Sequence, residues 1–393
     1  MIRVSRPCPT MLCLLASAMH LAGVETDSLP TVKVLWTWPG VADAIAVADG
    51  VVYAAGDNRV TALNGRSGEQ LWAREYPIES AGFSILRITG DRLVVGMGRS
   101  VVLADLKSGE LRAIVPVGQE IQTIQGPPLV VDTWDGERYQ IVSIDEKSGT
   151  VLARCAESRG RGIADFRVAD GTVIVLGDDE KTVAGLRPND FKELWHTSLE
   201  EAGRFAVSEG SIGFQLGPAD SETGFVMIET RTGHIVRRLP EREGAGPLAS
   251  AFAGLGLEVD VRSAGLDRNG VLSRYDPATG KALWSVTLPA GPTGVARSGD
   301  RLSIGTGSFA MASTGRVTVP VDALTVVDWN SGRVVTRAVN PYGIGTMDSL
   351  VAEGDLLWAT SGHQEVGVFC LSSTQVDPPE KLYELLDQLL PGR

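Results

Sequence analysis

Short runs of alternating apolar and polar residues recur along most of the chain, each bounded by a turn signal. In Val60 to Trp72, an alternating segment leads into the polar turn Asn64-Gly65-Arg66-Ser67-Gly68 and then into a second segment that contains Leu71-Trp72. Alternation with a period of two predicts half-buried strands, and the intervening turn residues predict a hairpin. The chain is therefore predicted to be all-β.

The same phrase returns at regular intervals. The position that closes each turn falls at residues 68, 109, 149, 191, 233, 280 and 332, and it holds glycine except at Phe191. In most copies an acid or amide stands four residues earlier, where its side chain is expected to accept hydrogen bonds from the turn's N–H groups, while glycine tolerates a positive φ. A second turn signal such as Asp49-Gly50 precedes most copies. Each period therefore predicts two hairpins, or four strands.

The spacing of 40 to 52 residues is close to the length of one four-stranded propeller blade. Val34-Leu35-Trp36 has the form of a blade's last strand without the strands before it, and Val366 to Ser372 has the form of the preceding strand without a last one. We therefore predict an eight-bladed β-propeller of four-stranded antiparallel blades over residues 32–374. Pairing of these N- and C-terminal strands is predicted to close the ring and to protect its sheet edges.

Two flanking segments stand outside the repeats. Two arginines precede the apolar stretch Met11–Gly23, a pattern typical of a secretory signal peptide, so residues 1–23 are predicted to direct export to the periplasm or the medium. Residues 378–390 are predicted to form a short amphipathic helix that packs on the propeller or on a partner. Its apolar positions are Leu382, Leu385, Leu386, Leu389 and Leu390.

Charge and hydropathy exclude two classes of protein. The chain has 48 Asp and Glu against 36 Lys and Arg, a net charge of −12, and it has no basic run. Nucleic-acid binding relies on clustered Lys and Arg, so no nucleic acid is expected as a partner. No apolar stretch reaches the roughly 18 to 20 residues of a membrane-spanning helix, so no transmembrane segment is predicted.

The repeat resembles that of a known family. The phrase Asp276-x-x-x-Gly280-x-x-Leu283-Trp284, with relatives at 64–72 and 187–195, is similar to the repeat of the pyrroloquinoline-quinone-type β-propellers, and the likeness covers nearly the whole chain after residue 23. The resemblance implies a propeller fold and either of two kinds of function. One is that of quinoprotein alcohol dehydrogenases. The other is that of non-enzymatic exported propellers, among them the BamB-like subunit of the outer-membrane β-barrel assembly machinery.

The residues favour the second kind. The quinoprotein enzymes resemble one another in holding the quinone between a tryptophan and a disulfide of adjacent cysteines, near a calcium ion and a catalytic aspartate. Here Cys155 and Cys370 are assigned by the repeat to blades three and eight, and they are predicted to be free thiols. His196, His234 and His363 fall in different blades, without a second ligand nearby. We therefore predict no catalytic, cofactor-binding or metal-binding residue, and no cofactor.

The tryptophans divide into two groups. Four share one position in the repeat, where a large ring can fill the wedge between neighbouring blades. These four are Trp36, Trp72, Trp195 and Trp284. The other four are candidates for a partner-facing surface, and they are Trp38, Trp134, Trp329 and Trp358. Trp134 is predicted to be the most exposed of them, because its neighbours are polar turn residues.

Two further groups of polar residues are candidate sites. The repeat frame places six residues at the mouth of the central channel, namely Asp43, Ser84, Ala164, Gly203, Thr293 and Asp348. Two carboxylates in neighbouring blades do not by themselves define a reaction. Asp178-Asp179-Glu180 is predicted to be a solvated turn between strands.

These observations favour an exported, non-catalytic propeller scaffold that binds other proteins. An envelope assembly complex is a candidate partner. Two alternatives stay open at the level of the sequence. One is a quinone-dependent dehydrogenase, and the other is a propeller that binds sugar or peptide at its channel mouth.

Overall fold

The computed structural model describes most of the predicted propeller. The described residues are 29–78, 85–134, 139–155, 163–177, 179, 181–199, 202–208, 210–216, 225–239, 264–266, 271–275, 282–288, 292–311, 318–340, 342, 350–361 and 366–381. The predicted signal peptide (1–23) lies outside them. Glu380 and Lys381 are helical, whereas residues 382–390 of the predicted amphipathic helix also lie outside them.

The strands follow the predicted hairpins. Strand β1 (Thr31–Trp38) precedes blade 1, which consists of β2 (Ala44–Ala48), β3 (Val51–Gly56), β4 (Arg59–Asn64) and β5 (Gln70–Glu75). The four strands of blade 1 pair antiparallel in chain order. Strand β3 is almost wholly buried, which explains its continuous apolar sequence, whereas the outermost strand β5 is mostly exposed.

Four more complete four-stranded sheets follow the same order. Blade 2 contains β6 (Ile85–Thr89), β7 (Arg92–Met97), β8 (Ser100–Asp105) and β9 (Leu111–Pro116). Blade 3 contains β10 (Glu120–Gln125), β11 (Leu129–Trp134), β12 (Tyr139–Asp145) and β13 (Thr150–Cys155). Blade 4 contains β14 (Ile163–Ala169), β15 (Thr172–Gly177), β16 (Thr182–Leu186) and β17 (Glu193–Ser198). Blade 5 contains β18 (Ala202–Ser208), β19 (Ser211–Leu216), β20 (Phe225–Glu229) and β21 (Ile235–Leu239).

The remaining strands form one three-stranded and one eight-stranded sheet. In blade 6 the described strands are β22 (Ala264–Leu266), β23 (Val271–Tyr275) and β24 (Ala282–Thr287). Blade 7 contains β25 (Pro292–Ser298), β26 (Arg301–Met311), β27 (Thr318–Asp328) and β28 (Val334–Asn340). Blade 8 contains β29 (Leu350–Glu353), β30 (Leu356–Thr360), β31 (Val368–Asp377) and β1. The eight-stranded sheet runs in the order β25-β26-β27-β28-β1-β31-β30-β29, so it joins blades 7 and 8.

The predicted pairing of the chain's two end strands is confirmed. Strand β1 pairs antiparallel with β31, with Val34 opposite Leu371, Trp36 opposite Cys370 and Trp38 opposite Val368. At its start β1 also pairs parallel with β28, where Thr31 faces Val339. The N-terminal strand is therefore held on both sides.

The core consists of apolar clusters between neighbouring blades. Alternate residues of a buried strand face opposite neighbours: Val52 and Ala54 of β3 pack in the cluster with blade 8, whereas Tyr53 and Ala55 pack in the cluster with blade 2. Equivalent clusters join blades 2 and 3, 3 and 4, 4 and 5, 6 and 7, and 7 and 8. First strands of neighbouring blades contact one another in the order β25, β29, β2, β6 and β10, so they form the inner wall.

The turn chemistry also follows the prediction. Asn64 Oδ1 accepts hydrogen bonds from the backbone N–H groups of Arg66 and Ser67, at 2.9 and 3.0 Å. Gly68 adopts a φ of +71°, and Phe191 holds the equivalent position at +51° despite its side chain. The conformation of these turns therefore follows from residues within the turns themselves.

Within the described part of the chain, no helix is long and apolar enough to span a membrane.

Candidate functional site

Three of the four slot tryptophans make the same contact with the following blade. The indole N–H of Trp36 donates to Gly65 O at 3.0 Å, that of Trp195 to Thr230 O at 3.1 Å, and that of Trp284 to Trp329 O at 2.9 Å. Each acceptor directly follows the residue that opens the turn of the next blade.

The slot rings also lie on the turn glycines of the next blade. A Cβ atom added at Gly68 would approach the Trp36 ring to 2.7 Å, and one at Gly109 would approach Trp72 to 2.6 Å. Gly233 meets Trp195 and Gly332 meets Trp284 in the same way. The predicted packing role of the four slot tryptophans is confirmed, so these rings belong to the fold rather than to a ligand site.

Of the other four tryptophans, two are buried and two are half-buried. Trp358 and Trp329 are only 1% and 3% exposed, and Trp38 and Trp134 are half-buried. Trp134 lies within β11, opposite Glu120 and Tyr139, and is more exposed than Trp329 and Trp358, in agreement with the prediction. Its exposure relative to Trp38 stays a prediction.

The predicted channel-mouth residues are only partly placed. Asp43 directly precedes β2, is half-buried, and donates its backbone N–H to Ala55 O at 2.8 Å. Ala164, Gly203 and Thr293 lie in the first strands of blades 4, 5 and 7, as the repeat frame predicts. Ser84 and Asp348 lie outside the described residues. The two carboxylates at the predicted mouth therefore remain a sequence prediction.

The remaining sequence candidates sit in structural surroundings. Asp179 Oδ1 accepts hydrogen bonds from the N–H groups of Lys181 and Thr182, so it orders the turn before β16 as predicted. Asp178, Glu180 and His363 are outside the described residues. His196 and His234 are exposed, in blade 4 and blade 5. Cys155 lies in β13 and Cys370 in β31, in blades 3 and 8 as predicted.

A polar junction between blades 3 and 4 was not predicted. Gln125, at the end of the inner strand β10, donates through Nε2 to Phe166 O at 3.1 Å and accepts the Val168 N–H at 3.0 Å. Next to this bridge, Arg167 Nη1 and Asp165 Oδ1 form an ion pair at 2.7 Å. Polar side chains thus replace part of the apolar contact between these two blades.

Asp132 is the chemically distinctive residue of this junction. Its Oδ1 atom is buried and accepts no hydrogen bond within the described residues. Burial and the nearby negative charge of Asp165 raise the pKa of Asp132 to about 7, and the Thr133 N–H partly offsets the rise. Asp132 therefore exchanges a proton near neutral pH. A carboxyl group of this kind can act in proton transfer or as a pH-sensitive packing group.

Alignment of the repeats shows that Asp132 is unusual for its position. The residue pairs with Ile141 of β12, and its equivalent in blade 1 is Ala55, which is fully buried toward the next blade. A carboxylate at a repeat position that is otherwise buried is detectable from the sequence once the register is known. The shortened turn Gly126-Pro127-Pro128 in blade 3 obscures that register.

The outermost strands carry a second regular feature. Each has an irregularity in its pairing just before the tryptophan position, for example between the Ala62–Trp72 and Leu63–Gln70 pairs, which leaves Leu71 without an opposite residue. Leu71 is 50% exposed, and Leu194 and Leu283, in the same position, are 48% and 54% exposed. Leu35 and Leu152 hold the same position and are 39% and 42% exposed. These five exposed leucines at equivalent positions of different blades are called the rim leucines below.

The family model described as "Outer membrane protein assembly factor BamB" matches residues 30–142 and 137–375. The chain belongs to this family. The match covers both halves of the propeller, as the sequence resemblance implied. No curated protein matches the sequence.

Solved structures share the fold at low sequence identity. BamB from Moraxella catarrhalis is 16% identical with a TM-score of 0.54, and the match covers 87% of this chain and 99% of that one. Sqt1 from Saccharomyces cerevisiae is 11% identical with a TM-score of 0.60 and coverages of 88% and 100%. Quinohemoprotein alcohol dehydrogenase from Comamonas testosteroni is 11% identical with a TM-score of 0.55 and coverages of 92% and 79%. These likenesses establish the fold but not the function.

Proposed function

We propose that the protein is an exported, non-catalytic propeller scaffold that binds protein components of outer-membrane protein assembly. The observation that carries the proposal is the match of the BamB family model to both halves of the chain. The signal-peptide pattern in residues 1–23 supports a location in the envelope, where such partners reside.

The packing of the aromatic residues agrees with a scaffold role. The four slot tryptophans are engaged with turn glycines, and Trp329 and Trp358 are buried. A planar quinone needs an open aromatic platform and a divalent ion near its carbonyl oxygens. The sequence contains no adjacent cysteines for the other face of such a site.

Affinity isolation from the native cell tests the partner. Tagged full-length protein, produced at its normal level, is cross-linked in intact cells, and the retained proteins are quantified against an unrelated exported protein with the same tag. We expect enrichment of outer-membrane assembly components. Recovery of none of them would contradict the proposal.

A matched pair of variants locates the binding surface. Replacing Leu71 and Leu283 together by lysine charges two rim leucines, and Arg66→Gln changes one exposed turn residue as the control. If partners bind at the rim, the first variant loses captured assembly components while the control retains them. Equal capture by both variants would place the interface elsewhere on the propeller.

Quinone titration tests the non-catalytic part of the proposal. Purified protein is titrated with pyrroloquinoline quinone and calcium while absorbance and dye-linked alcohol oxidation are followed. We expect neither stoichiometric binding nor turnover. Both together would replace the scaffold proposal with a dehydrogenase.

A further inference from the structure

The junction between blades 6 and 7 departs from the repeat at three positions. The first is the residue opposite the tryptophan slot, where blade 6 places Arg274 against Trp284. The equivalent residues of the other blades, in chain order, are Ala62, Leu103, Ser143, Gly185, Met227, Val326 and Cys370. None of them is charged.

The second and third positions belong to blade 7. Arg297 of the inner strand β25 pairs with Leu302, and its counterparts are Val47, Ile88, Val168, Val207 and Ala352. Trp329 directly follows the residue that opens the turn, and its counterparts are Gly65, Leu106, Glu146, Pro188 and Thr230. At this one junction, two arginines and a tryptophan occupy three repeat positions. The counterparts named above for these positions are neither cationic nor aromatic.

Both arginine side chains contact the Trp329 ring. The guanidinium carbons of Arg274 and Arg297 lie 5.0 and 4.9 Å from the centroid of the Trp329 ring. The ring is 3% exposed and meets the edge of Trp284 at a centroid distance of 5.6 Å, so its position is defined by packing. Trp329 therefore orients two cations on one buried indole.

Several N–H groups of these two arginines donate no hydrogen bond to a described residue. Arg297 is exposed and donates only through Nε, to Gly299 O at 3.1 Å, so its two Nη groups form no hydrogen bond with described residues. Arg274 donates through Nη1 to Trp329 O at 2.8 Å, whereas its Nε is buried without an acceptor among the described residues. Paired Nη groups of a guanidinium match the two oxygens of a carboxylate or phosphate.

The positive charge of this cluster also has no acidic partner among the described residues. The chain carries 48 acidic residues, yet within the described residues no carboxylate oxygen lies within 4.0 Å of either guanidinium. By contrast, the exposed Arg112 is paired with Asp105 at 2.8 Å. Two arginines on one ring, without a carboxylate partner among the described residues, give this junction a local preference for an anion.

We propose that Arg274, Arg297 and Trp329 form a binding site for a single oxyanionic group, a carboxylate or a phosphate. Arg297 binds the anion through its free Nη groups, Arg274 adds a second positive charge, and Trp329 holds both guanidinium groups in place. The oxyanion belongs either to a small ion or to an acidic side chain of a protein. The site does not depend on the identity of the scaffold's partner.

Fluorine NMR of full-length protein labelled with 5-fluorotryptophan tests the site. The Trp329 resonance is assigned with Trp329→Phe and followed during titration with sodium phosphate, sodium acetate or a capped Gly-Glu-Gly peptide, each against sodium chloride at matched ionic strength. We expect a saturable shift with at least one probe. The probe that binds most tightly distinguishes a small ion from an acidic side chain.

Three variants make the result specific. Arg297→Gln, at an exposed residue, is expected to weaken binding about tenfold or more, because it removes a charge-assisted pair of hydrogen bonds. Arg274→Gln is expected to act in the same direction, with circular dichroism as the check of folding. Arg66→Gln removes an exposed arginine from another blade and is expected to leave binding unchanged. Shifts no larger than those with chloride, or equal binding by Arg297→Gln and wild type, would overturn the proposal.

Discussion

At the residue scale, Asp132 shows how one substitution in a repeat changes the chemistry of a junction. Its counterpart Ala55 is a fully buried apolar residue, whereas Asp132 brings a carboxyl group toward Asp165 of the next blade. Because burial and Asp165 both disfavour the charged form, the folded protein holds a proton there to about pH 7.

This proton makes stability depend on pH in a defined direction. Between the ordinary aspartate pKa of about 4 and the folded value of about 7, the folded state binds more protons than the unfolded state, so stability falls as pH rises through that window. Asp132→Asn removes the titration. We expect the variant to have a melting temperature a few degrees above wild type at pH 8 and close to wild type at pH 5.

Thermal unfolding from pH 5 to 8 measures the effect. Asp57→Asn, at an exposed turn residue with a positive φ that asparagine also tolerates, is the control and is expected to track wild type. A constant difference between Asp132→Asn and wild type at all pH values would show that Asp132 is already ionised.

The two described cysteines provide a second test at this scale. Burial, with a smaller effect of Asp355, raises the pKa of Cys370 to about 12. Its thiolate fraction at pH 8 is then on the order of a thousandfold below that of an ordinary thiol. We expect iodoacetamide to modify Cys370 in urea but scarcely in the native protein, as measured by mass spectrometry. An intramolecular disulfide between Cys155 and Cys370 would contradict the blade assignment.

At the scale of the element, the contact between a tryptophan and the turn glycine of the next blade holds neighbouring blades together. Gly233 and Gly210 belong to blade 5 and have nearly equal φ values, +72° and +69°. A Cβ atom at Gly233 would collide with the Trp195 ring, whereas one at Gly210 would meet nothing within 4 Å. The pair therefore separates backbone strain from interblade packing.

Alanine at each glycine measures the two effects. We expect Gly210→Ala to lower the free energy of unfolding by about 1 to 2 kcal/mol, the cost of a left-handed conformation for an L-residue. Gly233→Ala is expected to cost roughly 1 to 3 kcal/mol more, because the added methyl displaces the ring. Urea denaturation followed by tryptophan fluorescence gives both values. Equal costs would mean that the Trp195 contact contributes nothing to stability.

Elements were predictable from the sequence because their causes are local. The Asn64 turn follows from one side chain, two N–H groups and a positive-φ glycine four residues after Asn64, and the strands follow from period-two alternation. The approach of Asp132 to Asp165 depends instead on how two blades pack, across residues that are distant in sequence.

At the scale of the whole molecule, the N-terminal strand links the two ends of the chain. Strand β1 lies between β31 and β28 and merges blades 7 and 8 into one sheet. Trp36 of this strand and Trp358 of β30 both donate to Gly65 O of blade 1, at 3.0 and 2.9 Å. The sequence repeat predicted this pairing of the two chain ends. The C-terminal segment lacks the last strand of a blade, and the N-terminal segment has the form of that strand.

Deletion of the gene tests the proposed role in outer-membrane protein assembly against the quinone-dependent alternative. Quantitative proteomics of the envelope measures outer-membrane β-barrel proteins in the deletion strain and in strains complemented with wild type or with Arg66→Gln. We expect lower levels of these proteins in the deletion strain and full recovery with both complementing genes. Unchanged levels, together with a loss of quinone-dependent dye reduction in the deletion strain, would contradict it.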